Sequence, residues 1–418
     1  MLNRDNEIVE LLEFASRSHH QWGFGWLDDK GRLLEEKPLE LWLNARMTHC
    51  FALGSMLKNC VSADKRERYA ALAEHGVACL QTFFQDTKFG GYFSALDAST
   101  GLVFEGRGER KEAYAHSFVI LAASSAKIAG ITGASPLLDD ALNVSTERWW
   151  EQENGMVKES YNRDFSQCED YRGLNAAMHT VEAYLAAFDA TANQTYLKRA
   201  LRMVTRVVGK YAPEDNGRLC EHYTPDFSAM RDFNEDKPED AFRPYGATPG
   251  HSFEWGRLAL QVTNTCAKNN VPFDSGIFPN ALNLIRAGRR DGWNSDGNVG
   301  YVYTVDFNGK PVSRSRMYWV ACEAIVAATV ARKMDPQNAQ EWDDLQKEAF
   351  DYLTGYFRSA AGMYVHELDE HNRTSYKTWQ GKPDIYHTLQ AMLIHDLPPT
   401  PTFAKAIRQC ENVGSKVN

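Results

Sequence analysis

In six Ala- and Leu-rich stretches of this chain, polar or aromatic side chains recur three or four residues apart where apolar ones belong. They are Trp42 and Arg46, Asn175 and His179, His251 and Glu254, Trp319 and Glu323, and Asp384 and His387, with Tyr114 alone in the second stretch. Residues at that spacing share one face of a helix. Burying so many hydrogen-bonding groups is costly unless they serve each other or a ligand. Brought together, they would form a pocket of imidazoles, carboxylates and one guanidinium walled by aromatic rings. Such a wall suits a polyhydroxylated ring, whose apolar face stacks on Trp while its hydroxyls meet charged groups. Two chemistries fit. A glycosidase needs two carboxylates across a cleft, which Glu254 and Glu323 could supply. Proton transfer beside a carbonyl needs a base that titrates near neutrality, which histidine supplies untuned. A sugar-binding protein without turnover is a third reading.

What would bring these residues together is a repeat. Gly-opened hairpin stretches recur at Gly25, Gly91, Gly155, Gly217, Gly300 and Gly362, at intervals of 66, 64, 62, 83 and 62 residues. Regular self-similarity marks one supersecondary unit used many times. The long interval holds an insertion, "RDFNEDKPEDAFRPYGATPG". Between hairpins, apolar residues at i, i+3, i+4 and i+7 predict two helices per unit. The first is nearly all apolar ("YWVACEAIVAATVARKM"), and the second is more charged ("WDDLQKEAFDYLTGYF"). An inner helix packed all round and an outer helix with one wet face explain the difference. Six such pairs, the last ending in "TFAKAIRQCENV", predict an all-α (α/α)6 barrel, a single domain over 1–418, with short β-hairpins on one rim. The polar residues lie 21 to 25 positions past their Gly, His251 34 because of the insertion, so a closed ring would point them at its axis.

The remaining features restrict the function classes. A net charge of −9 without a basic block argues against nucleic acid as a partner. The longest apolar runs fall far short of the ~18 residues of a membrane span. Eight cysteines without a CxxC pair, mostly in apolar stretches, and an N-terminus without a signal-peptide pattern point to reduced thiols in the cytoplasm. "HELDEH" (366–371) is not HExxH and falls on a strand and turn, so no metal is expected there. Monomer and homo-oligomer are both open.

The stretches "LWLNARMTHCFALG", "GLNAAMHTVEAYLAAFD", "FRPYGATPGHSFEWGRL" and "KPDIYHTLQ" resemble the N-acylglucosamine 2-epimerase superfamily. "NAR" followed by "MTH", in place of a "QGR"-like motif, is similar to its aldose–ketose isomerase branch, whose members act on mannose or sulfoquinovose. The resemblance spans essentially the whole chain. It implies an (α/α)6 barrel and a cofactor-independent interconversion of mannose and fructose through a cis-enediol, with 2-epimerisation as the same-class alternative. By this resemblance His387 moves the proton between C1 and C2, His251 assists ring opening, and Glu254 orients His251. Arg46 and His179 hold the carbonyl and enediol oxygens, and Trp319, Glu323 and Asp384 bind hydroxyls or position the histidines. Trp42, Tyr114 and Asn175 complete the expected sugar-binding wall. It also implies that sulfonate-handling members place glutamines near C6, where this chain has His366 and Pro383.

Overall fold

The structure, a computed structural model, describes residues 2–414. Six inner helices run Leu41–Gly54, Ala113–Ala129, Leu174–Thr191, Pro249–Lys268, Tyr318–Met334 and Tyr386–Leu393. Each packs on the next, and the sixth packs on the first, so the ring closes. Their Ala, Val and Leu side chains are buried on every face, because these helices touch neighbours on both sides, the outer layer and the axis. Outer helices Ala63–Cys79, Ala134–Val144, Gln194–Arg206, Ile277–Gly292 and Ala339–Tyr352 follow the first five inner ones. Glycine permits close approach between the layers: a Cβ on Gly256 would lie 2.9 Å from the Ala281 carbonyl oxygen.

The sixth pair departs from the expected order. The outer position beside the last inner helix is taken by the N-terminal helix Arg4–Ala15. The helix Phe403–Gly414, expected to be outer, instead packs on the first three inner helices at their C-terminal ends and caps the barrel floor. Polar contacts fix it there: Gln261 Nε2 donates to Pro399 O at 2.9 Å, and Asp189 accepts from Thr402 N at 2.8 Å. Connectivity explains the swap. The chain enters the ring with a helix that already fills the sixth outer slot, so the last segment has only the open floor to cover.

At the opposite end, two-residue strands ahead of the inner helices pair with the next unit. Leu39–Glu40 pairs with Ala95–Leu96, Lys111–Glu112 with Ser160–Tyr161, Arg172–Gly173 with His222–Tyr223, and Arg316–Met317 with Glu367–Leu368. Bridges Ala247–Val305 and Leu27–Lys382 complete the rim, the latter joining the two ends of the chain. Glu7 reinforces that closure. Its buried carboxylate accepts from Arg358 (2.9 and 2.8 Å), Gly362 N (3.0 Å) and Tyr364 Oη (2.9 Å). In the first unit the hairpin turns at Gln21 and Trp22, and its positive-φ glycine is Gly23, the first residue of the returning strand, rather than Gly25. Gly23 has φ 142° in the hairpin His19–His20/Gly23–Phe24, whereas Gly91, Gly155, Gly217, Gly300 and Gly362 are the left-handed glycines of the other five units. Among the described residues no helix is long and apolar enough to cross a membrane, and all eight cysteines are free thiols, five of them buried.

Candidate active site

The inner helices begin at the rim, so their first turns surround the axis. Trp42, Tyr114, Asn175, Trp319 and His387 are each the second residue of their helix and His251 the third. One turn deeper come Arg46, His179, Glu254 and Glu323. All the sequence-predicted residues except Glu323 line one cavity that opens at the rim. The helix N-termini converge there too, and their positive dipole ends favour negative charge developing inside.

Each charged group has a definite partner. His387 Nδ1 lies 2.9 Å from Glu323 Oε1. Glu323 is fully buried beneath the cavity and also accepts from Arg257 Nε at 3.2 Å. Arg257 reaches Glu254 at 3.4 Å, Gln261 at 3.3 Å and Glu182 at 3.5 Å. Glu182 in turn accepts from the Tyr386 hydroxyl. Arg46 donates to Asp384 (3.3 Å) and to Tyr114 Oη (3.1 Å), and its guanidinium lies 4.2 Å from the Phe118 ring centre. His179 Nδ1 is 3.5 Å from Glu254. Trp319 spans the two remaining histidines, its ring 5.3 Å from that of His251 and 5.8 Å from that of His387.

Three carboxylates around one guanidinium cannot all be ionised cheaply. Burial, and then the nearby Glu323, push the Glu254 carboxyl well above its usual range, against the pull of Arg257. Burial would raise Glu323 too, but Arg257 and the His387 hydrogen bond bring it below its ordinary value. Glu323 is therefore the ionised member and Glu254 the protonated one. Burial draws His387 below the usual histidine value, with Glu323 opposing. A neutral His387 with its Nδ1–H given to an ionised acceptor presents a bare Nε2 lone pair to the cavity, the form a base needs. Burial, followed by the charge of Arg46, holds His179 well below the usual value, so it too is neutral.

One sequence-derived expectation changes and another narrows. Glu254 does not orient His251: it is occupied by Arg257 and His179, and the carboxylate beside His251 Nδ1, at 3.0 Å, is Glu221. Side chains three apart on a helix lie one above the other, so His251 at the rim reaches sideways to Glu221, just ahead of the strand His222–Tyr223, and Glu254 reaches down to Arg257. Glu323, expected to bind hydroxyls or position the histidines, lies behind the wall with His387 Nδ1 on its carboxylate, in line with the second of those roles. Sequence reading also missed Arg257, Glu182, Tyr303, Tyr318, Trp379 and the insertion's Phe242, which sits over the mouth against Tyr114 and Trp379. Glu221 had a traceable signal. It occupies the rim position whose carbonyl receives the first helical N–H of the preceding inner helix, the place His366 holds in the last hairpin. His179, Glu182 and Glu254 bring potential ligand atoms within 4.8 Å of one another, but the Arg257 guanidinium already lies against both carboxylates and supplies the positive charge a metal would bring.

Residues 23–391 match the N-acylglucosamine 2-epimerase (GlcNAc 2-epimerase) family. The chain is 39% identical over 405 residues to a D-mannose isomerase of Pseudomonas cannabina pv. alisalensis, covering 96% of this chain and 94% of the relative. It is 40% identical over 407 residues to a D-mannose isomerase of Thermobifida fusca, covering 96% of each. A crystal structure of D-mannose isomerase superposes with a TM-score of 0.81 at 26% identity, over 93% of this chain and 96% of that one. The barrel, the rim and the polar cavity thus come with a match across nearly the whole length: the chain belongs to the N-acylglucosamine 2-epimerase family.

Proposed function

We propose that this protein is an aldose–ketose isomerase that interconverts D-mannose and D-fructose by proton transfer through a cis-enediol. The observation that carries the proposal is the His387–Glu323 pair, a neutral imidazole with its Nδ1 side occupied and its Nε2 side free in a cavity walled by aromatic and polar groups. His387 takes the proton from C2 of the open-chain aldose and returns it to C1. One base serves both carbons because a planar cis-enediol presents them on the same side. Arg46 and His179 stand where O1 and O2 exchange charge and a proton, and the helix N-termini favour the oxyanion. His251 exchanges a proton with the sugar during ring opening. The buried Asn175 Oδ1 has no donor among the described residues, which suits it to a sugar hydroxyl. The site sequesters one small sugar, and no step is routed through a metal.

A glycosidase is less well supported. Glu254 and Glu323 converge on one guanidinium beneath the cavity instead of facing each other across a cleft. A 2-epimerase, the activity in the family's name, would use the same enediol and return the proton to C2 on the opposite face. The test is to incubate the protein with mannose and separate the products by chromatography. Fructose as the main product supports the proposal, and glucose in its place refutes it in favour of epimerisation. Activity should survive EDTA, and deuterium from solvent should appear at C1 of the fructose. Loss of activity on chelation, restored by metal, would refute the metal-free route.

A further inference from the structure

We infer that Glu221 is the positioning residue of His251, so that each of the two histidines beside Trp319 has its own buried carboxylate on Nδ1. Glu221 Oε1 lies 3.0 Å from His251 Nδ1. Glu221 is buried and is not part of the cavity wall, and among the described residues neither of its carboxylate oxygens nor His251 Nδ1 has an aligned hydrogen bond, so their 3.0 Å approach is the one polar contact each of the two groups has to the other. A buried carboxylate with a single neighbour draws that neighbour's proton toward it. Nδ1 is therefore the nitrogen that carries the proton, which fixes the tautomer of His251 and leaves only Nε2 to exchange a proton with the sugar. The backbone holds Glu221 in place, since its carbonyl accepts Leu174 N at 3.0 Å at the start of the third inner helix. On the other face of His251, Trp319 stacks at 5.3 Å and limits ring rotation. Glu254, on the same helix as His251, cannot do this work because it is engaged with Arg257 and His179.

The test uses the full chain with 15N-labelled histidine and no substrate. Two downfield, carboxylate-bound imidazole N–H protons are expected. One should vanish or move upfield in both His251→Gln and Glu221→Gln, and the other only in Glu323→Gln. Persistence of the second resonance in Glu221→Gln reports that the fold is intact. The kinetic counterpart rests on the isomerase reading. In Glu221→Gln, kcat/KM for mannose should fall about 10- to 100-fold, the range seen when an imidazole loses its orienting partner at metal-bound histidines. A His251 resonance that survives Glu221→Gln, or that is lost in Glu254→Gln instead, overturns the inference. If the wild-type protein fails to convert mannose while the resonance pattern holds, the isomerase reading falls and the positioning role stands.

Discussion

Arg257→Met removes the one cation from a cluster of three buried carboxylates while keeping most of the side-chain volume. Arg257 is 1% exposed and contacts Glu182, Glu254 and Glu323 at 3.2–3.5 Å. Removing one partner of a buried ion pair costs about 3–5 kcal/mol, because the charge left behind is uncompensated. For 418 residues the unfolding entropy is about 0.9 kcal/mol/K, so the melting temperature should fall by about 3–6 °C at pH 7. The pH dependence carries a sign. In the native protein Glu323 is held below its ordinary value, so it contributes stability above the unfolded carboxylate range that is lost as pH falls. Without Arg257, burial and mutual repulsion put these carboxyls above their unfolded values. The penalty is then largest at neutral pH and is relieved as protons bind. The gap between variant and native protein should therefore narrow from pH 7 toward pH 5, read by thermal melts at fixed ionic strength. Turnover should fall as well, because His387 loses a firmly held Glu323. A melting temperature within 1 °C of the native value at pH 7, or a gap that widens on acidification, would refute this account of the cluster.

His387→Ala should lose about 10²–10⁴ of turnover, the usual contribution of a positioned base, measured as fructose formed from mannose. Because burial lowers His387 and the base works unprotonated, the acid limb of kcat/KM should lie below pH 6.5, the ordinary histidine value. Glu7→Gln weakens the latch to Arg358, Gly362 and Tyr364. It should cost about 1–3 kcal/mol, a fall of about 1–3 °C in melting temperature, with mannose conversion at 25 °C unchanged. Sulfoquinovose should be converted far less well than mannose or lyxose. Pro383 offers no donor, and burial followed by the charge of Lys382 keeps His366 neutral. Lys382 itself is occupied by Tyr364 O and Asp29, each at 2.8 Å. Comparative kcat/KM values decide this, and Pro383→Gln should raise the sulfoquinovose value.

Much of the site was legible because a repeat constrains it. Trp42, Tyr114, Asn175, His251, Trp319 and His387 stand in first turns of apolar helices, where a polar or aromatic residue has no reason to be unless the helices converge. Periodicity alone therefore named the wall and the barrel. It could not name what stands behind the wall. Glu182 belongs to the third unit and Glu221 and Arg257 to the fourth, and which carboxylate serves which imidazole depends on distances between elements that carry no mark in local spacing. The family resemblance suggested Glu254 for His251, yet side chains stacked on one face point to different depths, and the carboxylate beside His251 comes from the rim residue just before the strand His222–Tyr223. The sixth pair followed the same logic. The amphipathic pattern identifies Phe403–Gly414 as a helix, whereas the helix Arg4–Ala15 emerges only in the structure. Ring closure decided that Arg4–Ala15 fills the outer slot and Phe403–Gly414 seals the floor. Sequence determines which residues seek a buried partner, and only the closed ring determines which partner lies within reach.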